Sequence, residues 1–282
     1  IDRILRDLTN EMRPFAGLIN DYVNLLVSLD VLKSKANYAN EINGVLPVFS
    51  KSHEIDYINA YHPILLEKNK QDDAPVIPQT LGLNKKQQII VISGPNAGGK
   101  SITLKTIGLL QVMIQSGILI PVHEKSKTHF FDHILTDIGD NQSIENQLST
   151  YSYRLKNMRA FLKKCTNNTL FLIDEFGTGS DPELGGALAE IFLEEFYHVG
   201  AYGIITTHYT NLKVLADELE NVVNANMAFD SKTLEPLFML LIGQPGSSFT
   251  FEVAQKNGIP FSLINRAKKK IDKSKVRFDK TI

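Results

Sequence analysis

One nonapeptide constrains this chain more than any other stretch: Ser93-Gly94-Pro95-Asn96-Ala97-Gly98-Gly99-Lys100-Ser101. Residues 94–101 satisfy the Walker A spacing G-x-x-x-x-G-K-[ST] in full. The flanks agree with it. Ile89-Ile90-Val91-Ile92 reads as a buried strand entering the loop, and Ile102-Thr103-Leu104-Lys105-Thr106-Ile107 reads as a helix leaving it. The glycines let the backbone fold tightly enough for its N–H groups to converge on phosphate oxygens. The helix N-terminus adds its dipole and unpaired N–H groups. The expected ligands are therefore ATP and Mg²⁺. Gly94, Pro95, Asn96, Ala97, Gly98, Gly99, Lys100, Ser101 and Ile102 would cradle the nucleotide. Lys100 would reach the β- and γ-phosphates, and the Ser101 hydroxyl would ligate the metal.

The chain has 282 residues, 43% of them hydrophobic, enough for one large or two small domains with a proper core. Its formal net charge of −1 provides no global basic field of the kind that marks a nucleic-acid binder. Cys165 is the single cysteine, so no intrachain disulfide can form and a cytoplasmic location is expected. No uninterrupted apolar run reaches the roughly 20 residues of a spanning helix, so no membrane is expected. The start, Ile1-Asp2-Arg3-Ile4, has neither the basic-then-apolar build of a signal peptide nor an initiator Met. A fragment of a longer protein is the expectation.

Residues 1–42 read as helix. Ile1, Leu5, Leu8, Met12, Phe15, Ile19, Tyr22, Leu26 and Leu29 alternate at spacings of four and three, an a/d seam. Pro14 should kink this helix or split it. The periodicity fits equally a helix pair packed on the core and the base of a long coiled arm. Short extended pieces follow at 54–60 and 76–83, with a loop at 68–73 between them. Further strands are expected at 118–122, 134–138, 169–173, 202–206, 222–229 and 234–241. Helices are expected from Thr150 to about Lys164, from Pro182 to about His198, and from Pro260 onward. This alternation predicts an α/β fold, a mainly parallel sheet with an antiparallel flank. The basic tail, Lys268-Lys269-Lys270 with Lys273, Lys275, Arg277 and Lys280, reads as a solvated helix end.

The strand at 169–173 ends in Asp174-Glu175, a Walker B pattern. A carboxylate there lies in the crevice at the C-terminal ends of parallel strands. Asp174 would hold Mg²⁺ through water, and Glu175 would act as general base for the attacking water. His208, just past the strand at 202–206, can hydrogen-bond the γ-phosphate or that water. Ser149 reads as the N-cap of the helix from Thr150. That makes it an anion site in principle, though its residue context alone favours an ordinary cap.

Several ordered stretches together resemble the ATPase domain of the MutS family. They are Gly94–Ser101, Asp137-Ile138-Gly139-Asp140-Asn141-Gln142-Ser143-Ile144-Glu145, Leu148-Ser149-Thr150-Tyr151-Ser152, residues 174–182 and Thr206-Thr207-His208-Tyr209. Gly246-Ser247-Ser248-Phe249-Thr250-Phe251-Glu252-Val253-Ala254 adds to the likeness, which is nearest to the second bacterial branch, whose full-length members carry a C-terminal Smr-type nuclease. The resemblance implies a P-loop NTPase of ABC-ATPase type, without a Leu-Ser-Gly-Gly-Gln signature, in a homodimer with two composite ATP sites. In that pattern Ser149 and Thr150 act on the partner's γ-phosphate, residues 177–181 line the dimer seam, and His208 is a switch histidine. Val76 and Ile77 would pack on the adenine. Residues 1–42 would be the returning end of a helical lever, 43–262 the ATPase domain, and 263–282 a C-terminal helix and basic tail. The implied target is branched or mismatched DNA, contacted mostly through regions outside this chain. A ribosome-rescue ATPase and a nucleotide-gated dimerisation module are the alternatives. Nuclease activity is not expected of this stretch.

Overall fold

The computed structural model describes residues 1–72, 74–95, 98–139, 150–178, 181–230, 233, 235–246 and 250–270. A six-stranded sheet carries the architecture, in the order β10-β9-β4-β8-β7-β6. Its strands are β4 (Ile89–Ser93), β6 (His133–Asp137), β7 (Thr169–Ile173), β8 (Tyr202–Thr206), β9 (Val222–Asp230) and β10 (Glu235–Ile242). All neighbours pair in parallel except β9 and β10. Every residue of β4, β7 and β8 is buried. Strands covered on both faces need apolar residues throughout, which is why these three read as unbroken apolar runs.

The strand period of two divides the core. Ile90, Ile92, Leu170, Leu172 and Ile204 face α4 (Lys100–Gln115), which contributes Leu104, Ile107 and Leu110. Ile89, Val91, Phe171, Ile173 and Ile205 face the opposite layer. That layer is built from α5 (Thr150–Lys164), α6 (Pro182–Val199) and α7 (Thr210–Glu218), through Met158, Phe161, Leu193, Phe196 and Leu212. A second sheet, β1 (Val48–Phe49), β5 (Lys127–Thr128), β2 (Ile55–Ala60) and β3 (Gln79–Leu83), packs on the α4 side. In it β2 pairs antiparallel with β3, the flank expected from the pieces at 54–60 and 76–83.

In the middle of the sheet Gly203 pairs across from Phe171. A side-chain carbon added at Gly203 would lie 2.2 Å from the Phe171 ring, which is itself fully buried. The Gly203→Ala variant is therefore expected to lose about 3 kcal/mol, the upper end of an overpacking cost, in urea denaturation. A loss under about 0.5 kcal/mol, the size of a surface change, would mean the ring moves aside freely.

Two expectations are corrected. The stretch 68–73, read as a loop, falls largely within α3 (Pro63–Asp72). Its Asn and Asp residues suggested a turn. Pro63 instead opens a helix at a position where no N–H is needed, and Leu66 packs on the core. The stretch 118–122 is buried at Ile120 and Val122 but forms only an isolated bridge between Ile120 and Val45. Of the two readings left open for the N-terminal segment, packing on the core holds only at its C-terminal end. α1 (Asp2–Met12) and α2 (Ala16–Glu41) are joined through a 3₁₀ turn at Arg13–Phe15, where Pro14 sits. All nine seam residues are exposed, and only the C-terminal end docks, through Tyr38, Ala39 and Ile42. Among the described residues, Asp2–Glu41 is the one helix long and apolar enough, by length and composition, to cross a membrane. Asn20, Asp21, Asn24, Ser28 and Asp30 interrupt its apolar sequence.

The chain continues through α8 (Thr250–Lys256) to α9 (Phe261–Lys270), which starts two residues before the expected third segment. Lys273, Lys275, Arg277 and Lys280 lie outside the described residues.

Candidate nucleotide site

Because β8 lies between β4 and β7, the C-terminal ends of these three strands adjoin. The Walker A loop leaves β4, Asp174 and Glu175 leave β7, and His208 follows β8. Gly94 at φ +123° and Gly99 at φ +93° take backbone conformations that L side chains rarely adopt, and Gly99 caps the start of α4. Lys100 is buried, 2% exposed, and its Nζ donates to the Gly94 carbonyl at 2.7 Å and the Pro95 carbonyl at 3.0 Å. The ammonium thus lies inside the curve of its own loop. Burial pulls its pKa down to about 8; Lys213 adds to the lowering, while Glu175 and Asp174 oppose it. Lys100, both carboxylates and Lys213 therefore share one electrostatic neighbourhood.

Asp174 is 7% exposed, and its Oδ1 accepts a 2.6 Å hydrogen bond from Thr206 Oγ1. The same hydroxyl oxygen accepts the Glu175 N–H at 2.8 Å. Glu175 stands at φ +50°. That conformation costs a non-glycine residue about 1–2 kcal/mol, so surrounding bonds must hold it. Its carbonyl accepts from Arg154 Nη1 at 2.7 Å and Thr178 Oγ1 at 2.9 Å. The Phe176 N–H donates to the Thr206 carbonyl at 2.9 Å.

His208 is exposed, yet its pKa is lowered, by partial desolvation first and then by Lys100 and Lys213, with Asp174 opposing. The imidazole is thereby biased toward its neutral form at pH 7. Ser101, in the first turn of α4, is half-buried. A hydroxyl and a carboxylate are hard oxygen donors of the kind Mg²⁺ takes alongside phosphate oxygens and water, so Ser101 and Asp174 fit that metal.

Val76 and Ile77 precede β3. Gln79 Nε2 donates to the Ile77 carbonyl at 3.3 Å and to the Phe238 carbonyl of β10 at 2.6 Å. A side-chain carbon built on Gly99 would lie 3.2 Å from the Phe238 ring, so the start of β3 ties to a strand that touches the Walker loop. Further along, Tyr209 Oη donates to the Gly177 carbonyl at 3.1 Å, and Asp181 caps α6 by accepting from the Glu183 and Leu184 N–H groups. Ser149, Asn96, Ala97, Gly179 and Ser180 lie outside the described residues.

Sequence reasoning assigned no role to three residues of this site: Thr206, Arg154 and Lys213. Lys213 Nζ donates to the Gly246 carbonyl at 2.9 Å, and the Gly246 N–H donates to Ser93 Oγ at 2.7 Å, which draws residue 246 onto the root of the Walker loop. A polar residue closing the apolar strand β8 was the available signal for Thr206. Arg154 and Lys213 sit in helices with no local mark.

A Walker A loop, an acidic strand end and an interposed parallel strand define a P-loop ATPase-type domain. The family model for MutS domain V matches residues 90–275, and the chain belongs to the MutS family. Its relatives include proteins named Endonuclease MutS2. The one from Lacticaseibacillus casei (strain BL23) is 42% identical over 96% of this chain and 34% of its own length. Those from Shouchella clausii (strain KSM-K16) and Staphylococcus saprophyticus subsp. saprophyticus are 40% and 39% identical over 100% of this chain and 35% of theirs. The chain thus spans about a third of the length of these relatives.

Proposed function

We propose that this chain is the ATP-binding and ATP-hydrolysing domain of a MutS2-like protein acting on branched or mismatched DNA. The observation that carries the reading is the convergence, at three adjoining strand ends, of Lys100, the Asp174-Glu175 pair and His208, with Glu175 held in a strained backbone. Lys100 exchanges its loop carbonyls for the β- and γ-phosphates of ATP. Ser101 directly and Asp174 through water would hold Mg²⁺, which would supply charge neutralisation at the phosphates. Glu175 takes the proton of the attacking water, and neutral His208 hydrogen-bonds the γ-phosphate or that water. Val76 and Ile77 pack on the adenine.

Two chains meet head to head in the proposed ABC-type arrangement, with residues 177–181 along the seam. Ser149 and Thr150 reach the partner's γ-phosphate. Residues 1–42 form a lever whose exposed apolar seam pairs with another helix, 43–262 form the ATPase domain, and 263–282 form a C-terminal helix and basic tail.

Subunit mixing tests the composite site. Lys100→Ala and Ser149→Ala chains are each expected to be inactive. Mixed, one site of each heterodimer has an intact loop facing an intact Ser149, and turnover returns toward half the wild-type level per dimer. Heterodimers that form yet recover nothing would count against the shared site. A Ser149 that merely caps its helix would cost about 1 kcal/mol of stability on substitution and leave turnover unchanged.

A further inference from the structure

Arg154 is one of the most buried cations of the chain, 9% exposed, and among the described residues it forms no ion pair. Buried charges are normally paired, so its placement calls for a reason. Its Nη1 lies 3.0 Å from the Asp174 carbonyl, 2.7 Å from the Glu175 carbonyl and 3.1 Å from Thr178 Oγ1. All three acceptors belong to the turn that leaves β7. Arg154 itself stands in the second turn of α5, a different element, whose start follows directly on Ser149 in sequence.

The Glu175 peptide is consequently gripped from two sides. Thr206 of β8 takes its N–H, and Arg154 of α5 takes its carbonyl. Thr178 reinforces the carbonyl side: its hydroxyl donates to the Glu175 carbonyl and accepts from the guanidinium. A positive-φ glutamate persists only when its surroundings over-determine it. Without Arg154 that carbonyl keeps, among the described residues, only its Thr178 bonds, and the strained backbone is held less firmly.

We infer that Arg154 is a positioning residue for hydrolysis. It locks Glu175 in its strained conformation and makes that lock depend on where α5 stands. The inference rests on the proposed role of Glu175 as general base. It deepens that role in one respect: a shift of α5, the helix whose start follows Ser149, moves the base. Hydrolysis is thereby gated by α5 while nucleotide binding, which Lys100 and the Walker loop carry, is not.

The test compares wild type, Arg154→Met and Arg154→Lys by steady-state ATP turnover, ATP affinity from calorimetry, and thermal melting. Met keeps much of the stem and removes every donor. Its kcat is expected to fall by about 10²-fold, the usual cost of a mispositioned catalytic group, with the ATP Kd within about threefold. Lys keeps the charge but lacks the planar fork, and is expected to fall between the two. Arg154 lines a cleft with Tyr151, Phe176, Gly177, Thr178 and Leu188, and Arg154→Met vacates the guanidinium's own volume beside it. About 20 mM guanidinium, well below denaturing concentrations, is expected to restore part of the Arg154→Met turnover, and methylammonium at equal ionic strength is not. Wild-type kcat in Arg154→Met, kcat and Kd failing together, or the two cations acting alike would each overturn the inference. Absence of turnover in the wild type would instead sink the underlying ATPase reading.

Discussion

Turnover of ATP by a Glu175→Gln variant is expected to fall by about 10²-fold or more, the size of a lost general base, while ATP affinity stays close to wild type. Gln matches Glu in shape and keeps both backbone grips on residue 175, from Thr206 and from Arg154. Only the proton-accepting capacity goes. The folded structure should therefore persist, and the variant should accumulate as an ATP-bound dimer, visible by size-exclusion chromatography with light scattering. Turnover equal to wild type would mean that another group takes the proton. Weakened ATP affinity would mean that Glu175 belongs to the binding apparatus instead.

The second large effect belongs to Lys100. Its replacement by Ala is expected to abolish tight ATP binding in calorimetry, because Lys100 is the cation that the loop aims at the phosphates. Its depressed pKa adds a pH signature with a definite sign. In the free protein Lys100 titrates at about 8. Phosphate oxygens favour the ammonium and raise that value in the complex. Between the two values binding takes up a proton, so ATP affinity should decline as pH rises above about 8, at most tenfold per pH unit. At pH 8.5, calorimetry in buffers of different ionisation enthalpy should register proton uptake by wild type, and at pH 7, where the lysine is already charged, much less of it. Unchanged affinity in the variant would remove Lys100 from the site. An affinity flat across pH 7 to 9.5 would mean that the lysine stays charged throughout.

The exposed helical arm follows another logic. Its seam is written in the sequence as clearly as any core helix, yet Leu5, Leu8, Tyr22, Leu26 and Leu29 are all exposed. Periodicity records that a helix has an apolar face and is silent about what covers it. Polar α3 is the converse case. It docks by its first turns, through Pro63 and Leu66, and the Lys, Asn and Asp residues beyond them imitate a loop.

Much of the chain is legible from short-range signals alone. The Walker loop, the strands at β4, β7 and β8, the carboxylates ending β7, and the helices α5 and α6 each announce themselves within a dozen residues. Glycine spacing, apolar runs and capping residues act over that range. The tertiary structure decided everything that depends on register between distant segments. It set β8 between β4 and β7, which brings His208 beside Lys100 and Asp174. It set Phe171 over the missing side chain of Gly203. It also turned Thr206, marked only as the polar end of an apolar strand, and Arg154, unmarked in its helix, into the two clamps on Glu175. The physical reason is that a hydrogen bond or a steric gap between residues twenty or more positions apart leaves no local sequence period to read. Its energy depends on where the sheet and its helices bring the partners.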